Sequence, residues 1–265
     1  MCRLPWKSIA RTLATPADHA AAAALHIAYR AAGHLVRTCR EMLELPDGVI
    51  AAFYALCGEE MAARSPVAGL ADSAWMRERD FCFFNIRATG QGETFGNWIT
   101  AAKLLPVVRA DAIHLGPFTR YDFGCIYAVQ CTRTIAPETV HPGLAAAGIG
   151  PEAQLAAFVR AAHLLGKVVG FDLEPHTTQF SIDALMRPDL FRWIRVTPER
   201  DGLDGGLTLE AMQAPELQVG IHAVVRALVR EELGVTGLAT LDPEEGEPPE
   251  LRERKIACYH RLIGS

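Results

Sequence analysis

The feature that most constrains this chain is the alternation of strand-like and helix-like segments between residues 80 and 175. Short apolar runs bounded by polar, glycine or proline residues predict buried strands, and longer runs with apolar residues at helical spacing predict helices. The order is strand, helix, strand, helix, strand, at residues 81–88, 97–108, 110–118, 152–167 and 167–175. Strands separated by helices form parallel sheets that are covered by helices. The pattern therefore predicts an α/β fold for this part of the chain.

The residues that precede this pattern are predicted to be helical. The alanine-rich segment 17–44 predicts one long helix, which Pro46 would end, and residues 48–64 predict a second helix. We therefore expect two parts, a helical extension at residues 1–75 and an α/β part at residues 76–265. The extension carries no motif with recognisable chemistry, and its predicted role is packing.

Charge and composition argue against several classes of function. The 26 basic and 31 acidic residues are spread along the chain and give a net charge of −5, so no basic stripe favours nucleic acid. The seven cysteines are odd in number and lack CxxC spacing, which predicts reduced thiols and a cytoplasmic location. No uncharged apolar run approaches about 18 residues, so we expect no membrane span. No HExxH, GxSxG or Walker motif occurs, and we predict no metal and no cofactor.

The sharpest cluster of polar residues follows the third predicted strand and contains Asp172, Glu174 and His176. Alternation along a strand places Asp172 and Glu174 on one face. Carboxylates fixed at a strand end can accept hydrogen bonds from hydroxyls, and histidine adds a donor whose charge changes near neutral pH. Two alternatives stay open: a metal site, which would lack a second histidine at ligand spacing, and a solvated loop without a function.

A second cluster lies in the long loop predicted at residues 119–150 and contains Arg120, Tyr121, Asp122 and Tyr127. Aromatic rings offer apolar faces to the C–H groups of a sugar, while charged groups bind its hydroxyls. The alternative is that these aromatic side chains pack over the rim of the fold.

Three glycines, Gly90, Gly92 and Gly96, follow the first predicted strand and precede a helix. They resemble a dinucleotide-binding fingerprint, but the spacing is GxGxxxG rather than GxGxxG. Loop flexibility is the simpler interpretation. Cys125 and Cys131 lie in the second cluster's loop, and we interpret them as small buried side chains rather than nucleophiles.

Ordered blocks of this sequence resemble the α-amylase family of glycoside hydrolases (family 13-like), whose catalytic domain is a (β/α)8 barrel. ADAIHLGPF resembles the family's second strand, and YDFGCIYAV is similar to the loop that carries its sugar-stacking tyrosine. AAFVRAAHLLGKVVGFDLEPHTTQF resembles the helix and third strand, and RPDLFRWI resembles the segment that follows. FCFFNIRATG then corresponds to the first strand, so that the resemblance covers residues 80–195.

The resemblance implies a partial (β/α)8 TIM barrel with its first three strands, an N-terminal helical extension and a variable insertion at residues 196–265. It implies a carbohydrate substrate and gives Asp172 the role of the third-strand aspartate that orients site residues. Tyr127, with Tyr121 nearby, matches the stacking tyrosine. His176 stands where the family has asparagine, one position before its sugar-contacting histidine.

The most important departure from the family is the missing nucleophile block. The family's nucleophilic aspartate lies in a G-x-R-x-D context after a fourth strand, and this sequence contains no such block. Residues 176–265 are also fewer than the roughly 150 residues that five further strand–helix units need. Asp172 and Glu174 share one strand, so they are not the two carboxyls about 5 Å apart that a retaining mechanism uses. We expect the N-terminal half of the catalytic barrel, truncated, without catalytic residues and inactive on its own.

Two other functions compete with this interpretation. One is a non-catalytic carbohydrate-binding or interaction protein on a degenerate barrel, and the other is a nucleotide-dependent enzyme that uses the loop at Gly90. A half-barrel also leaves unpaired strand edges, so we expect self-association through the open edges of the sheet.

Overall fold

The computed structural model describes the greater part of the chain, at residues 5–60, 64–92, 94–121, 126–172, 174, 194–198, 207–211, 248–251, 253–254 and 257. The chain divides into two compact units. The first unit contains residues 1–118 and 134–173, and the second contains residues 119–133 and 174–265.

The first unit consists of helices and a small parallel sheet. Its described helices are α1 (Pro5–Leu13), α2 (Pro16–Ala32), α3 (Cys39–Leu43), α4 (Asp47–Glu60), α5 (Trp98–Leu104), α6 (Pro142–Ala146) and α7 (Pro151–Leu164). Its described strands are β1 (Phe81–Phe84), β2 (Ala112–Leu115) and β5 (Val168–Phe171). Short 3-10 turns link these elements, among them Ile86–Thr89 directly after β1.

The prediction of one helix over residues 17–44 is wrong beyond Ala32. Gly33 adopts a left-handed conformation with a φ of 71°, and its N–H donates to the Tyr29 carbonyl, which ends α2. Thr38 then forms a capping box with Glu41 and starts the separate short helix α3. Alanine content concealed this break, because the single glycine that ends the helix is flanked by good helix formers.

The predicted second helix is observed as α4, which begins at Asp47 and is described as far as Glu60. Its amino end lies against the junction of α1 and α2. A Cβ atom at Gly48 would lie 2.6 Å from Asp18 Oδ2 and 2.7 Å from the Leu13 carbonyl oxygen. Glycine therefore permits a close approach of backbones that a larger residue would prevent.

The sheet confirms the predicted parallel arrangement. Its order is β1-β2-β5, and both pairs are parallel, with Phe84 opposite Leu115 and Leu115 opposite Phe171. Helix α5 lies in the chain between β1 and β2, and helix α7 precedes β5. Within the described residues no further strand joins this sheet. The mixed α/β class is thus confirmed, while the closure of a barrel is not part of the described structure.

The helical segment and the sheet share one hydrophobic core. The largest fully buried side chains come from both, and include Trp6, Phe53, Tyr54, Trp98, Ile113 and Phe158. Trp6 Nε1 donates to the Ala157 carbonyl oxygen at 2.8 Å, which joins α1 to α7. Tyr54 Oη donates to the Ala102 carbonyl oxygen at 2.8 Å, which joins α4 to α5. The boundary at residue 75 stays a prediction, but residues on both sides of it pack together in the first unit.

A polar network reinforces this packing. Asp47 Oδ1 lies 2.7 Å from Lys103 Nζ, and Asp47 Oδ2 lies 3.0 Å from His141 Nε2. His141 Nδ1 accepts a hydrogen bond from the Leu144 N–H, so Nε2 carries the proton that is donated to Asp47. Lys103 Nζ also donates to the Leu43 and Leu45 carbonyls. One carboxylate therefore joins α4, α5 and the start of α6.

The second unit is described in part. Its strands are β3 (Thr119–Tyr121), β4 (Val129–Ile135), β6 (Ile194–Pro198) and β7 (Leu207–Ala211), and the last two residues of β4 belong to the first unit. Strand β3 pairs with β4, and β6 pairs antiparallel with β7. The prediction of a long loop at residues 119–150 is therefore wrong, because this segment contains the two strands β3 and β4 and the helix α6. The apolar residues of β4 are separated by glutamine, arginine and threonine, which weakens the pattern that would reveal a strand.

Candidate functional site

The carboxyl ends of β1, β2 and β5 lie at one edge of the parallel sheet, which is where α/β folds bind ligands. Asp172 directly follows β5, and its N–H donates to the Leu115 carbonyl oxygen at 2.8 Å. This bond extends the sheet ladder by one residue and fixes the Asp172 backbone. Asp172 itself is half-buried. The backbone of Asp172 is thus held at the carboxyl end of the sheet, and a role in binding stays a prediction.

The sheet has two faces, which strand alternation assigns. The helix face contains Cys82, Phe84, Ile113, Leu115, Val169 and Phe171, and the opposite face contains Phe81, Phe83, Ala112, His114, Val168 and Gly170. Phe84, Ile113 and Leu115 belong to the hydrophobic core, and the Phe84 ring lies 6.1 Å from the Phe158 ring of α7. Asp172 follows Gly170 by two residues, so alternation assigns it to the opposite face.

Four residues of the opposite face lie at or near the carboxyl end of the sheet, distributed over its three strands. Phe83, His114 and Gly170 are register partners across the three strands, and Asp172 comes next along the third. The Phe83 and His114 rings are stacked, with centroids 5.7 Å apart and planes inclined by 28°. Phe83 is 56% exposed, and His114 is half-buried. This cluster combines an open aromatic surface with an imidazole and a carboxylate.

Two glycines shape the surroundings of that cluster. A Cβ atom at Gly116 would lie 2.8 Å from Phe83 Cζ, so the phenyl ring lies over the backbone at Gly116. A Cβ atom at Gly170 would meet no atom within 4 Å. The strand position beside His114 is therefore empty space rather than packed core.

Arg87 holds the loops at this edge in place. Its guanidinium is buried, with Nε donating to Glu138 Oε1 at 2.8 Å and Nη1 donating to the Pro117 carbonyl oxygen at 2.6 Å. The Arg87 N–H donates to Asn85 Oδ1 at 3.1 Å. A charge-assisted pair of low exposure restrains geometry strongly. Arg87 thus fixes the segment after β1 to the segment after β2.

The glycine-rich loop folds on itself instead of forming a phosphate cradle. A Cβ atom at Gly90 would collide with the Thr94 carbonyl oxygen, and one at Gly96 would collide with the Ile86 carbonyl oxygen. The Asn97 side chain accepts hydrogen bonds from the N–H groups of Ile99 and Thr100 at the start of α5. Gly90 and Gly96 therefore serve close backbone packing, and the N–H groups of Gly90, Gly96, Ile99 and Thr100 are bonded within the protein.

The remaining predicted site residues lie in the second unit. Tyr121 ends β3 and is half-buried, Tyr127 is 44% exposed before β4, and Glu174 is half-buried. His176 lies outside the described residues, as do Asp122 and Cys125 in the same predicted clusters. Because Asp172 belongs to the first unit, a pocket shared with the two tyrosines stays a prediction.

The described cysteines include two buried thiols, Cys57 and Cys131. Cys131 is buried in β4, as its interpretation as a small core residue requires. Burial raises the pKa of the Cys57 thiol to about 12, so this thiol is protonated at neutral pH. Among the described residues, no group of three or more His, Cys, Asp or Glu side chains is arranged to hold a metal ion.

Sequence reasoning missed Phe83, His114 and Gly170 as members of the candidate site. The signal was present in the period-2 alternation of the strands, which assigns these residues to the face that carries Asp172. Their register was hidden, because the relative shift of neighbouring strands is set by tertiary packing.

Comparisons with known proteins gave one structural likeness. No protein-family model matches the chain, and no curated protein matches it. The structure is similar to the crystal structure of an α-amylase from H. orenii, with a TM-score of 0.37 and 16% sequence identity. The likeness covers 69% of this chain, and the chain spans 44% of the length of that α-amylase.

No described helix has the length and apolar character needed to cross a membrane.

Proposed function

We propose that this chain forms part of the sugar-binding site of an α-amylase-like glycoside hydrolase or transglycosylase and has little or no turnover by itself. The observation that carries the proposal is the arrangement of β1, β2 and β5. The three segments that resemble the family's first three barrel strands are neighbours in one parallel sheet, in chain order. Asp172, which matches the third-strand aspartate, follows the last of them.

The proposed role of Asp172 is to bind and orient. Its carboxylate makes no hydrogen bond to the described part of the chain, while its backbone is fixed by the bond to Leu115. A carboxylate in that state accepts hydrogen bonds from sugar hydroxyls, and such charge-assisted bonds are stronger than neutral ones. Glycosidic bond cleavage needs a second carboxyl across the scissile bond, and the family's nucleophile block does not occur in this sequence.

A second candidate is a non-catalytic carbohydrate-binding or interaction protein on a degenerate barrel. The missing nucleophile block favours this candidate, because a binding site needs the sheet and its polar edge but not the two catalytic carboxyls. The carbohydrate-binding form of this candidate also requires that the chain binds sugars, whereas an interaction protein does not.

Calorimetry with maltotriose, together with a reducing-sugar assay on maltotriose, tests the proposal. We expect binding without turnover, and we expect Asp172→Asn to weaken binding about tenfold through loss of charge-assisted hydrogen bonds. Asp111→Asn is the matched control, because Asp111 lies just before β2, at the opposite end of the sheet, 3.7 Å from Arg79. Cellotriose serves as a β-linked comparison.

Three outcomes test the proposal. Absence of maltotriose binding by the wild-type chain would overturn the proposal, and measurable cleavage would overturn the expectation of inactivity. Equal binding by Asp172→Asn and the wild-type chain would remove Asp172 from the site.

A further inference from the structure

We propose that Phe83, His114, Gly170 and Asp172 form a binding site for two linked pyranose rings on the opposite face of the sheet. This inference rests on the proposed sugar-binding function and names the residues that contact the sugar. It assigns to two strand residues, Phe83 and His114, a role for which the loop tyrosines were the sequence candidates.

The first observation is an exposed aromatic surface in a place where packing would normally bury it. Phe83 is 56% exposed although it lies in a strand, and its ring contacts the His114 ring and lies close to the backbone at Gly116. These contacts reduce the conformational entropy that the phenyl ring loses when it binds a ligand. The axial C–H groups of a pyranose ring form an apolar face of suitable size to stack on it.

The second observation concerns two polar side chains, His114 beside the Phe83 ring and Asp172 directly after the third strand of the sheet. The His114 imidazole and the Asp172 carboxylate make no hydrogen bond within the part of the chain that the structure describes. Imidazole can donate and accept, and carboxylate accepts at two oxygens. Together they match vicinal hydroxyl groups, which donate and accept in alternation.

The third observation is the space between these groups. Gly170 is the register partner of His114 in β5, and a Cβ atom there would meet nothing within 4 Å. Glycine weakens the interior of a strand, and it often marks a point where a ligand approaches the backbone closely. The gap at Gly170 therefore gives a sugar ring access to His114 on one side and Asp172 on the other.

The chemistry of the cluster favours a neutral sugar over other occupants. The carboxylate of Asp172 repels phosphate groups, so a nucleotide is disfavoured. A second copy of the chain is the alternative occupant of this face, and light scattering distinguishes it from a sugar. A disaccharide unit satisfies these groups, with the apolar face of one ring on Phe83 and the hydroxyls of the next ring between His114 and Asp172.

Two variants and one matched control test the assignment by maltotriose calorimetry on the full chain. Gly170→Val fills the gap with a residue that strands favour, and Phe83→Leu removes the aromatic surface but keeps an apolar side chain. We expect each to weaken maltotriose binding about tenfold or more. Phe81→Leu is the control, because Phe81 is 50% exposed on the same face of the same strand but stacks on Trp75 at the amino end.

Thermal unfolding and light scattering of each variant accompany the binding data. We expect the melting temperature of Gly170→Val to equal or exceed that of the wild-type chain, so that lost binding does not reflect lost folding. Binding by Phe81→Leu should stay within about twofold of wild type.

The results distinguish this inference from the proposed function. If the wild-type chain binds maltotriose and both Gly170→Val and Phe83→Leu bind it equally well, this site is overturned while the sugar-binding function stands. If the wild-type chain does not bind maltotriose, both are overturned. A wild-type dimer that Phe83→Leu dissociates would identify a second copy as the occupant of this face and would also overturn the site.

Discussion

The two faces of the parallel sheet are built from the same three strands, yet they differ in what they contact. On the helix face, Ile113 and Leu115 are fully buried against helices and belong to the core. On the opposite face, Phe81 and Phe83 are at least half exposed, and His114 is half-buried with no hydrogen bond to described residues. Only the smaller Ala112 and Val168 are buried there, and both lie outside the core cluster.

This difference indicates how the sheet divides its roles. Alternation gives each strand a side chain for packing and then one that points away from the helices. Buried apolar contacts supply folding free energy on the helix face. The opposite face carries aromatic, imidazole and carboxylate groups together with an empty glycine position, which is a composition suited to binding. Mutations on the two faces should therefore separate stability from binding.

The largest expected effect on stability is the difference between two neighbouring residues of β2, Ile113 and His114. Ile113→Ala should lower the free energy of unfolding by about 3 kcal/mol, because it leaves a cavity in the core. His114→Ala should lower it by less than about 1 kcal/mol, since the imidazole makes no described hydrogen bond. Urea denaturation measures both values. Equal losses at the two positions would contradict the division of the faces.

The helices that cover the helix face depend on the Asp47 network, which predicts an acid-sensitive stability. Burial acts to raise the pKa of Asp47, but the hydrogen bond from His141 and the ion pair with Lys103 outweigh it and hold the pKa below its usual value. A lowered pKa stabilises the fold above the unfolded-state pKa of about 4, and this contribution is lost as the pH falls through the folded-state pKa.

Asp47→Asn tests this network. The variant should lose about 2 kcal/mol of stability at pH 7, because Lys103 keeps its carbonyl partners but loses its counter-charge. Between pH 5 and pH 3 its stability should decline less than that of the wild-type chain. Urea denaturation across this pH range measures both, with Asp111→Asn as the control. Parallel pH profiles for Asp47→Asn and the wild-type chain would exclude Asp47 as the source of the acid sensitivity.

A smaller effect is expected farther from the sheet, at the start of α2. The Thr15 hydroxyl accepts from the Asp18 N–H, and the Asp18 carboxylate accepts from the Thr15 N–H. Thr15→Ala should cost about 1 kcal/mol of unfolding free energy, the usual cost of a lost cap. Thr12→Ala is a suitable comparison, because Thr12 is an exposed residue within α1. The Thr12 hydroxyl donates to the Ser8 carbonyl oxygen but caps no helix. A larger loss for Thr12→Ala would argue against the cap.

The smallest expected change in stability concerns Gly170 on the opposite face, and it is a gain in stability instead of a loss. Gly170→Ala should raise the free energy of unfolding by about 0.5 kcal/mol, because alanine restricts the unfolded chain and its Cβ meets no atom in the fold. Thermal denaturation measures this change. A clear destabilisation would show that the space beside His114 is occupied in solution.

The sequence allowed prediction of the elements with strong periodicity. The three strands, helix α7 and the parallel order followed from apolar runs and their spacing, because these elements place apolar residues against the core. The sequence also predicted that Gly166 ends α7. In the structure Gly166 adopts a φ of 71° just after that helix. The break at Gly33 and the strands β3 and β4 were missed, since a single glycine or a mixed polar segment gives a weak local signal.

The candidate site was only partly predictable for a related reason. Asp172 could be recognised because it ends an apolar strand. Phe83 and Gly170 are ordinary residues of strand segments, and their roles depend on the register that brings them beside His114. Register is a property of the folded sheet, so a single sequence could not supply it.

Hydroxyl-radical footprinting of the full chain, with and without saturating maltotriose, tests most directly whether the opposite face of the sheet binds sugar. The account predicts that Phe83 and Phe81 both react readily in the free chain. Maltotriose should then slow oxidation of Phe83 and leave Phe81 unchanged. Slow oxidation of Phe83 in the free chain, or equal oxidation of Phe83 with and without the sugar, would contradict the account.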